Sequence, residues 1–193
     1  LYLGALARGD MGLSLTTGQP VLQELMARLP ASLEMVLLAL LLACAIALPL
    51  GVLAATRPGS WIDQLCRLIT TAGVSLPTFF TGLLFILVFS IQLDWLPFVY
   101  RTNIGGTGWQ FYWEHIKQSI MPVMVLGLAN AAAISRYMRS SMLENMKQDY
   151  VRTARAKGMS ERTVVLKHVL RNSMIPVVTI IALGIRSTFG GEI

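Results

Sequence analysis

Between Ser32 and Ala55 the chain reads SLEMVLLALLLACAIALPLGVLAA, with one charge, Glu34, at its edge. About 20 predominantly apolar residues cross the hydrocarbon of a bilayer, so this stretch predicts a membrane span. Only 13% of the 193 residues are charged and 54% are hydrophobic, whereas a soluble domain carries about 25% charged residues. The fold class expected is therefore all-α, a polytopic membrane helical bundle. Three further apolar segments fit it. One covers 65–91, with Arg67 at its start and Gly73, Pro77 and Gly82 inside, and is either two half-helices or one bent helix. Another covers 118–138, from Met121-Pro122 through the small residues Ala129 to Ala133. The last begins near Ser173 and carries Arg186. Pro49 and Gly51 predict a kink at the far end of the first span, which neighbouring helices can tolerate.

The connections differ from one another. Residues 1–31 form a turn-rich external segment with Arg8, Asp10, Glu24 and Arg28, ending in a short amphipathic helix, PVLQELMARLP. TRPGSWIDQ reads as a short loop. Residues 93–117 read as a polar loop with interfacial anchors at Trp95, Tyr100, Trp109, Tyr112 and Trp113. The formal charge of +6 raises nucleic acid as a partner. Its distribution argues otherwise, since nine of the sixteen cations, against three acids, fall between Arg136 and Arg171. Cation-rich loops stay in the cytoplasm. Loop 139–171 is thus cytoplasmic, and residues 1–31 and 93–117 face outward.

That cytoplasmic insert is patterned. Residues 139–157 lack Gly and Pro and place Met142, Met146, Tyr150 and Ala154 four apart, which predicts a helix continuing from the third span. Gly158 breaks it. Ser160 can cap a second helix, with Glu161 at its positive end and Leu166, Val169 and Leu170 as its apolar face, and Pro176 opens the next span. The result is a compact knob whose tip, Ala156-Lys157-Gly158-Met159-Ser160, can enter a cleft on another protein; the alternative is an ordinary positive-inside loop.

No catalytic constellation is visible. His115 and His168 fall on opposite sides of the membrane, His168 being expected to fix the knob against its own subunit. Cys44 and Cys66 lie outside any ligand spacing and read as small buried hydrophobes. No metal site is expected, and without a GxxxxGK[ST] motif the chain is not expected to carry ATP chemistry itself. Polar residues inside spans, Ser75, Thr78, Thr81 and Asn130, are candidates for a substrate path or for interhelical hydrogen bonds. Arg186 is an intramembrane cation, either functional or near enough to an interface to snorkel. The chain opens on Leu1 and stops at Glu192-Ile193 with an apolar segment still running. It is therefore expected to be an internal piece of a longer subunit, lacking a span at each end.

The stretch YVRTARAKGMSERTVVLKHVLRNSMIPVV resembles the cytoplasmic signature of binding-protein-dependent ABC importer permeases, in particular their dipeptide/oligopeptide branch. That branch reads DYVRTARAKG and, after a basic helix, HxLRNxxIPV; Asp149–Gly158 and His168–Val177 match it. The general family pattern is Glu-Ala-Ala, three residues, Gly, nine residues, Ile-x-Leu-Pro. Arg152, Thr153, His168 and Arg171 depart from it as the peptide branch does. RGDMGLSLTTGQPVLQELMARLPASLEM and LDWLP are similar to that branch too, so the resemblance covers nearly the whole chain. It implies a type I transmembrane domain over 32–193, truncated from about six spans. It also implies a second homologous permease subunit, giving a heterodimer, two ATPase subunits that bind the ATP and Mg, and an external substrate-binding protein. Arg152, Thr153, Ala154, Arg155, Ala156, Lys157, Gly158, Met159 and Ser160 would sit in an ATPase cleft, with Ala154 and Gly158 small because packing there is close. The cargo implied is di- or oligopeptides; nickel chelates, glutathione or another small solute are the alternative. A polytopic membrane enzyme or a passive channel would lack, respectively, the catalytic set and a reason for the knob.

Overall fold

A computed structural model of the chain describes residue 4 and residues 9–101 and 108–190, with the backbone alone for 185–190. Leu1, Arg8, the Arg186 side chain and Glu192-Ile193 lie outside the described residues. The described residues are helical, apart from turns and one isolated bridge between Leu13 and Pro20. Helix α1 is Val21–Thr56, α2 Trp61–Ser75, α3 Thr78–Phe85 with a π-helical continuation over Ile86–Gln92, and α4 Trp109–Asn145. After a turn comes α5, Asp149–Ala156. One turn at Glu161–Thr163 and a π-helical stretch over Val164–Val169 then lead into α6, Leu170–Gly190.

Three of these helices are long and apolar enough to cross a bilayer, and α2 with α3 makes a fourth if counted as one bent span. The expectation of two half-helices or one bent helix over 65–91 resolves as two helices meeting at 98° across Leu76-Pro77. The residue before a proline is pushed out of the α region, and Leu76 has φ −86° and ψ 123°. At 1.5 Å per residue, α1 and α4 are each about 54 Å long, against roughly 30 Å of hydrocarbon. Both therefore project beyond it.

Several boundaries differ from those the sequence predicts. The segment after Pro20 is not a separate helix, because α1 runs through both Pro30 and Pro49. Each proline removes one internal hydrogen bond without ending the helix. Residues 109–117 are the first turns of α4 rather than loop, Gly108 ending the connection at φ 73°. The last helix does not begin near Ser173; it is continuous from Glu161 through Pro176.

Helix α4 is the hub, packing on α1, α6, α2 and α3. Its closest partner is α1, whose buried Ala39, Ala43, Ala47, Gly51 and Ala55 recur every fourth residue. Such a row lets two backbones approach closely, which drives helix association in lipid. The approach is tight enough that a Cβ at Gly51 would lie 2.7 Å from Met138 Cβ, and one at Gly127 would lie 2.8 Å from Leu42. The core continues from this seam through Met138 and Met142 to Val151, Ala154, Val164, Val165 and Val169. The insert is thus built onto the end of the bundle. Cys44 is half-buried, Cys66 is buried, and both are free thiols.

Candidate functional site

The knob begins where α4 ends. The predicted helix over 139–157 breaks at Met146–Gln148, although no Gly or Pro is present. Lys147 and Gln148 donate their N–H groups three residues back, to Glu144 and Asn145 carbonyls, and the Tyr150 hydroxyl donates to Asn145 Oδ1 at 2.7 Å. Asn145 in turn donates to the Ser141 carbonyl. Side-chain bonds of this kind let Asn compete with the helix for backbone partners. The break re-aims the next helix: Met142 and Ala154 of the predicted stripe are buried, but Tyr150 is exposed and Val151 takes the inward position.

Helix α5 closes in a Schellman motif. Met159 N–H reaches the Ala154 carbonyl and Gly158 N–H the Arg155 carbonyl at 2.9 Å, with Gly158 at φ 76° in the left-handed position such a motif requires. A Cβ at Gly158 would meet nothing within 4 Å, so backbone conformation, not crowding within this chain, accounts for the glycine. Ser160 Oγ then accepts from Thr163 N–H as an N-cap and pairs with the Thr163 hydroxyl at 2.9 Å. Across the turn, Arg155 donates through Nε (3.0 Å) and Nη2 (2.6 Å) to the two carboxylate oxygens of Glu161. The neighbouring carboxylate holds the Arg155 guanidinium above its ordinary pKa. The geometry is bidentate, but both side chains are exposed, so the brace has the energy of a surface pair. Glu161→Gln should cost the tip less than about 1 kcal/mol. Amide exchange at Gly158 and Met159 is the check, with a rise of up to about fivefold expected for that energy.

Eight of the nine tip residues named from the sequence (Arg152, Thr153, Arg155, Ala156, Lys157, Gly158, Met159, Ser160) are exposed together on this knob. Ala154 is 6% exposed and packed in the chain's own core. Its small size therefore has an internal reason. Arg152 stands 3.7 Å from Asp149, both well exposed. The predicted apolar face of the following helix also shifts. Leu166 is 46% exposed, whereas Val164, Val165 and Val169 are buried. The π-helical stretch causes this, because a turn widened by one residue moves the inward position from a three- or four-residue step to five. His168, expected against its own subunit, is half-buried there, and its buried Nε2 has no hydrogen-bond partner among the described residues.

The four path candidates are not brought together. Asn130 is exposed, lines a cleft between α1, α4 and α6, and donates to the Leu126 carbonyl. Thr81 lines a separate apolar cavity against α2 and α4 and bonds the Pro77 carbonyl. Ser75 donates to the Thr71 carbonyl and, like Thr78, is exposed. Among the described residues no three His, Cys, Asp or Glu are grouped as metal ligands.

Two polar links escape the sequence reading. At the end of the bundle away from the knob His115 Nε2 lies 3.0 Å from both Glu34 carboxylate oxygens, tying α4 to α1, and its ring stacks on Phe111. At the cation-rich end Asp63, 0% exposed, takes Arg139 Nε at 2.6 Å and Nη2 at 2.8 Å, together with the Gly59 N–H at 2.9 Å. This joins the start of α2 to the end of α4, just before the knob. A signal did exist. Ser60-x-x-Asp63 is a capping-box spacing, and Ser60 Oγ accepts from Asp63 N–H. Local pattern, however, carries no hint of a partner 76 residues away.

Residues 47–193 match the family described as binding-protein-dependent transport system inner membrane component. The whole chain is 41% identical to the oligopeptide transport system permease protein AppB of Bacillus subtilis (strain 168), covering 60% of it. It is 40% identical to the glutathione transport system permease protein GsiC of Escherichia coli (strain K12), covering 59%. With the dipeptide transport system permease protein DppB of Alkalihalophilus pseudofirmus it shares 37% identity, covering 63%. The chain thus spans about three fifths of the length of these relatives.

Proposed function

The chain belongs to the family of binding-protein-dependent transport system inner membrane components, as a multi-pass membrane protein, and on that premise we propose that it is the permease subunit of an ATP-driven importer for small peptides. Relatives named for oligopeptides, dipeptides and glutathione support a peptide-like cargo and leave its length open. The observation that carries the reading is the knob: an exposed tip at Arg152–Ser160, held rigid by a Schellman turn, an N-cap and an ion pair, and rooted through Val151 and Ala154 in the spanning core.

In this reading a second homologous permease subunit completes the path, an external binding protein delivers cargo, and two ATPase subunits seat the knobs. The ATP and Mg belong to those ATPases, and this chain performs no hydrolysis. Lys157 and Arg152 offer cations to acids on a cleft wall, which sets orientation more than affinity; Arg155 is occupied by Glu161. ATPase closure displaces the tip. Because Val151 and Ala154 share one packed cluster with Met138 and Met142, that displacement passes to α4 and thence to the seam with α1.

Gly158 provides the test. In this chain a Cβ there meets nothing within 4 Å and Gly158 lies on the exposed tip, so Gly158→Trp should cost folding mainly the left-handed strain, about 1–2 kcal/mol. If the tip enters a cleft, the same change should reduce the ATPase that copurifies with the full-length subunit at least tenfold. Gly158→Asn, which tolerates the left-handed region, should retain it. Equal copurification of the Trp variant and the unaltered subunit would remove the docking reading. Uptake of labelled dipeptides, longer peptides and glutathione by cells with and without the intact gene identifies the cargo, and no difference for any of them would remove the peptide assignment.

A further inference from the structure

Beside the Asp63–Arg139 pair, α2 and α4 leave a cleft lined by Arg67, Thr70 and Thr71 from one helix and by Ser135, Arg136, Arg139 and Ser140 from the other. Three arginines therefore line one cleft. The acid beside them, Asp63, already takes both Arg139 donors and the Gly59 N–H, and Arg67 stands off from it at 3.7 Å. Arg139 spends Nε and Nη2 on Asp63 and keeps Nη1. Arg136 lies over the ring of its neighbour Tyr137. Three cations against one carboxylate leave a surplus of two positive charges.

The hydroxyls point the same way. Ser135 is 3% exposed, yet its side chain makes no hydrogen bond to the described residues, and neither do the side chains of Thr71 and Ser140. Thr70 alone is committed, to the Arg67 carbonyl. Thr71 and Ser140 are exposed, so these hydroxyls are open to an incoming acceptor. Uncommitted donors around clustered guanidinium groups call for an anionic acceptor with several oxygens, the chemistry of a phosphate.

The surroundings choose its source. Leu68, Ile69 and Tyr137, adjacent in sequence to the lining arginines and Thr70, are exposed, so the charged cavity opens beside apolar surface of membrane-spanning helices. It lies at the cation-rich end of the bundle, where positive-inside topology places the leaflet that basic pockets between helices meet. We infer that the Arg67–Arg136–Arg139 cleft binds the phosphodiester headgroup of an anionic phospholipid, whose acyl chains lie along the exposed α2 surface.

The experiment follows thermal unfolding of the full-length subunit in nonionic detergent during titration with phosphatidylglycerol, phosphatidylcholine or inorganic phosphate. Phosphatidylglycerol should raise the midpoint saturably, and the other two should not at equal concentration. Arg67→Gln/Arg136→Gln should raise the phosphatidylglycerol concentration for half-effect at least tenfold. Arg67→Lys/Arg136→Lys, which keeps charge but loses the planar fork, should fall between. Both arginines are exposed, so neither change touches the core. Arg57→Gln/Lys147→Gln removes the same charge elsewhere on that face and should titrate as the unaltered subunit does. The inference is overturned if the cleft variants titrate unchanged, if the control pair loses as much, or if inorganic phosphate reproduces the shift.

Discussion

Asp63→Ala should destabilise the folded subunit by about 1–3 kcal/mol, the cost of leaving its hydrogen-bonding partners unsatisfied, Arg139 itself being partly exposed. Asp63 is fully buried and its carboxylate satisfies two guanidinium donors and the Gly59 N–H, so removing it strands all three. Arg67, 54% exposed at 3.7 Å, brings a further cation and no acceptor. The reciprocal change, Arg139→Met, leaves a fully buried carboxylate with the Gly59 N–H and a distant Arg67, and should cost more, about 3–5 kcal/mol. The double variant Asp63→Ala/Arg139→Met should recover much of either loss, because two apolar groups leave no charge unpaired. Unfolding of the four proteins in detergent forms a double-mutant cycle. Additive losses would mean that the two side chains do not act as a pair. The pair sits between the α2 start and the last turns of α4, so its loss should also loosen the base from which the knob projects.

What could be read from the sequence was what short-range physics determines. The apolar run 32–55 is a span because nothing else can shelter it. Gly158 breaks a helix because only glycine takes φ 76° without strain, and Pro77 separates α2 from α3 because it constrains Leu76. The break after Asn145 was not legible, since Asn, Met, Lys and Gln are all compatible with a helix and the turn depends on Tyr150 reaching back. The inward set Val164, Val165 and Val169 defeats a 3.6-residue template because the π-helical stretch changes the period itself. The Asp63–Arg139 contact depends on two helices first having packed. In the knob the tip was recognisable from Gly158 and Ser160. That Ala154 turns inward depends on the same re-aiming at residues 146–148.

The row of small residues on α1 was equally hidden, since its meaning depends on which helix it faces, and it leads to a second large effect. Gly51→Ala should destabilise the subunit by about 1–3 kcal/mol, the usual cost of overpacking. The new Cβ would lie 2.7 Å from Met138 Cβ and 3.1 Å from the Ser135 carbonyl. Neither can swing away, one being fixed to the α4 backbone and the other part of it. Gly127→Ala should cost less, because its first obstacle, at 2.8 Å, is the end of the flexible Leu42 side chain, although the Ala39 carbonyl at 3.2 Å still limits relief. Gly82→Ala meets nothing within 4 Å and should be neutral or gain up to about 1 kcal/mol of helix preference. Thermal unfolding of the three full-length variants in one detergent ranks them, and a Gly51→Ala subunit as stable as Gly82→Ala would show that α1 and α4 do not meet this closely. Under the proposed function the ranking bears on transport as well as on folding. Met138 lies one helical turn from Met142, and both belong to the cluster that holds Val151 and Ala154 of the knob. A wedge at Gly51 forces apart the two helices through which movement of the tip would reach the spans. Uptake by Gly51→Ala should therefore fall further than its loss of folded protein explains.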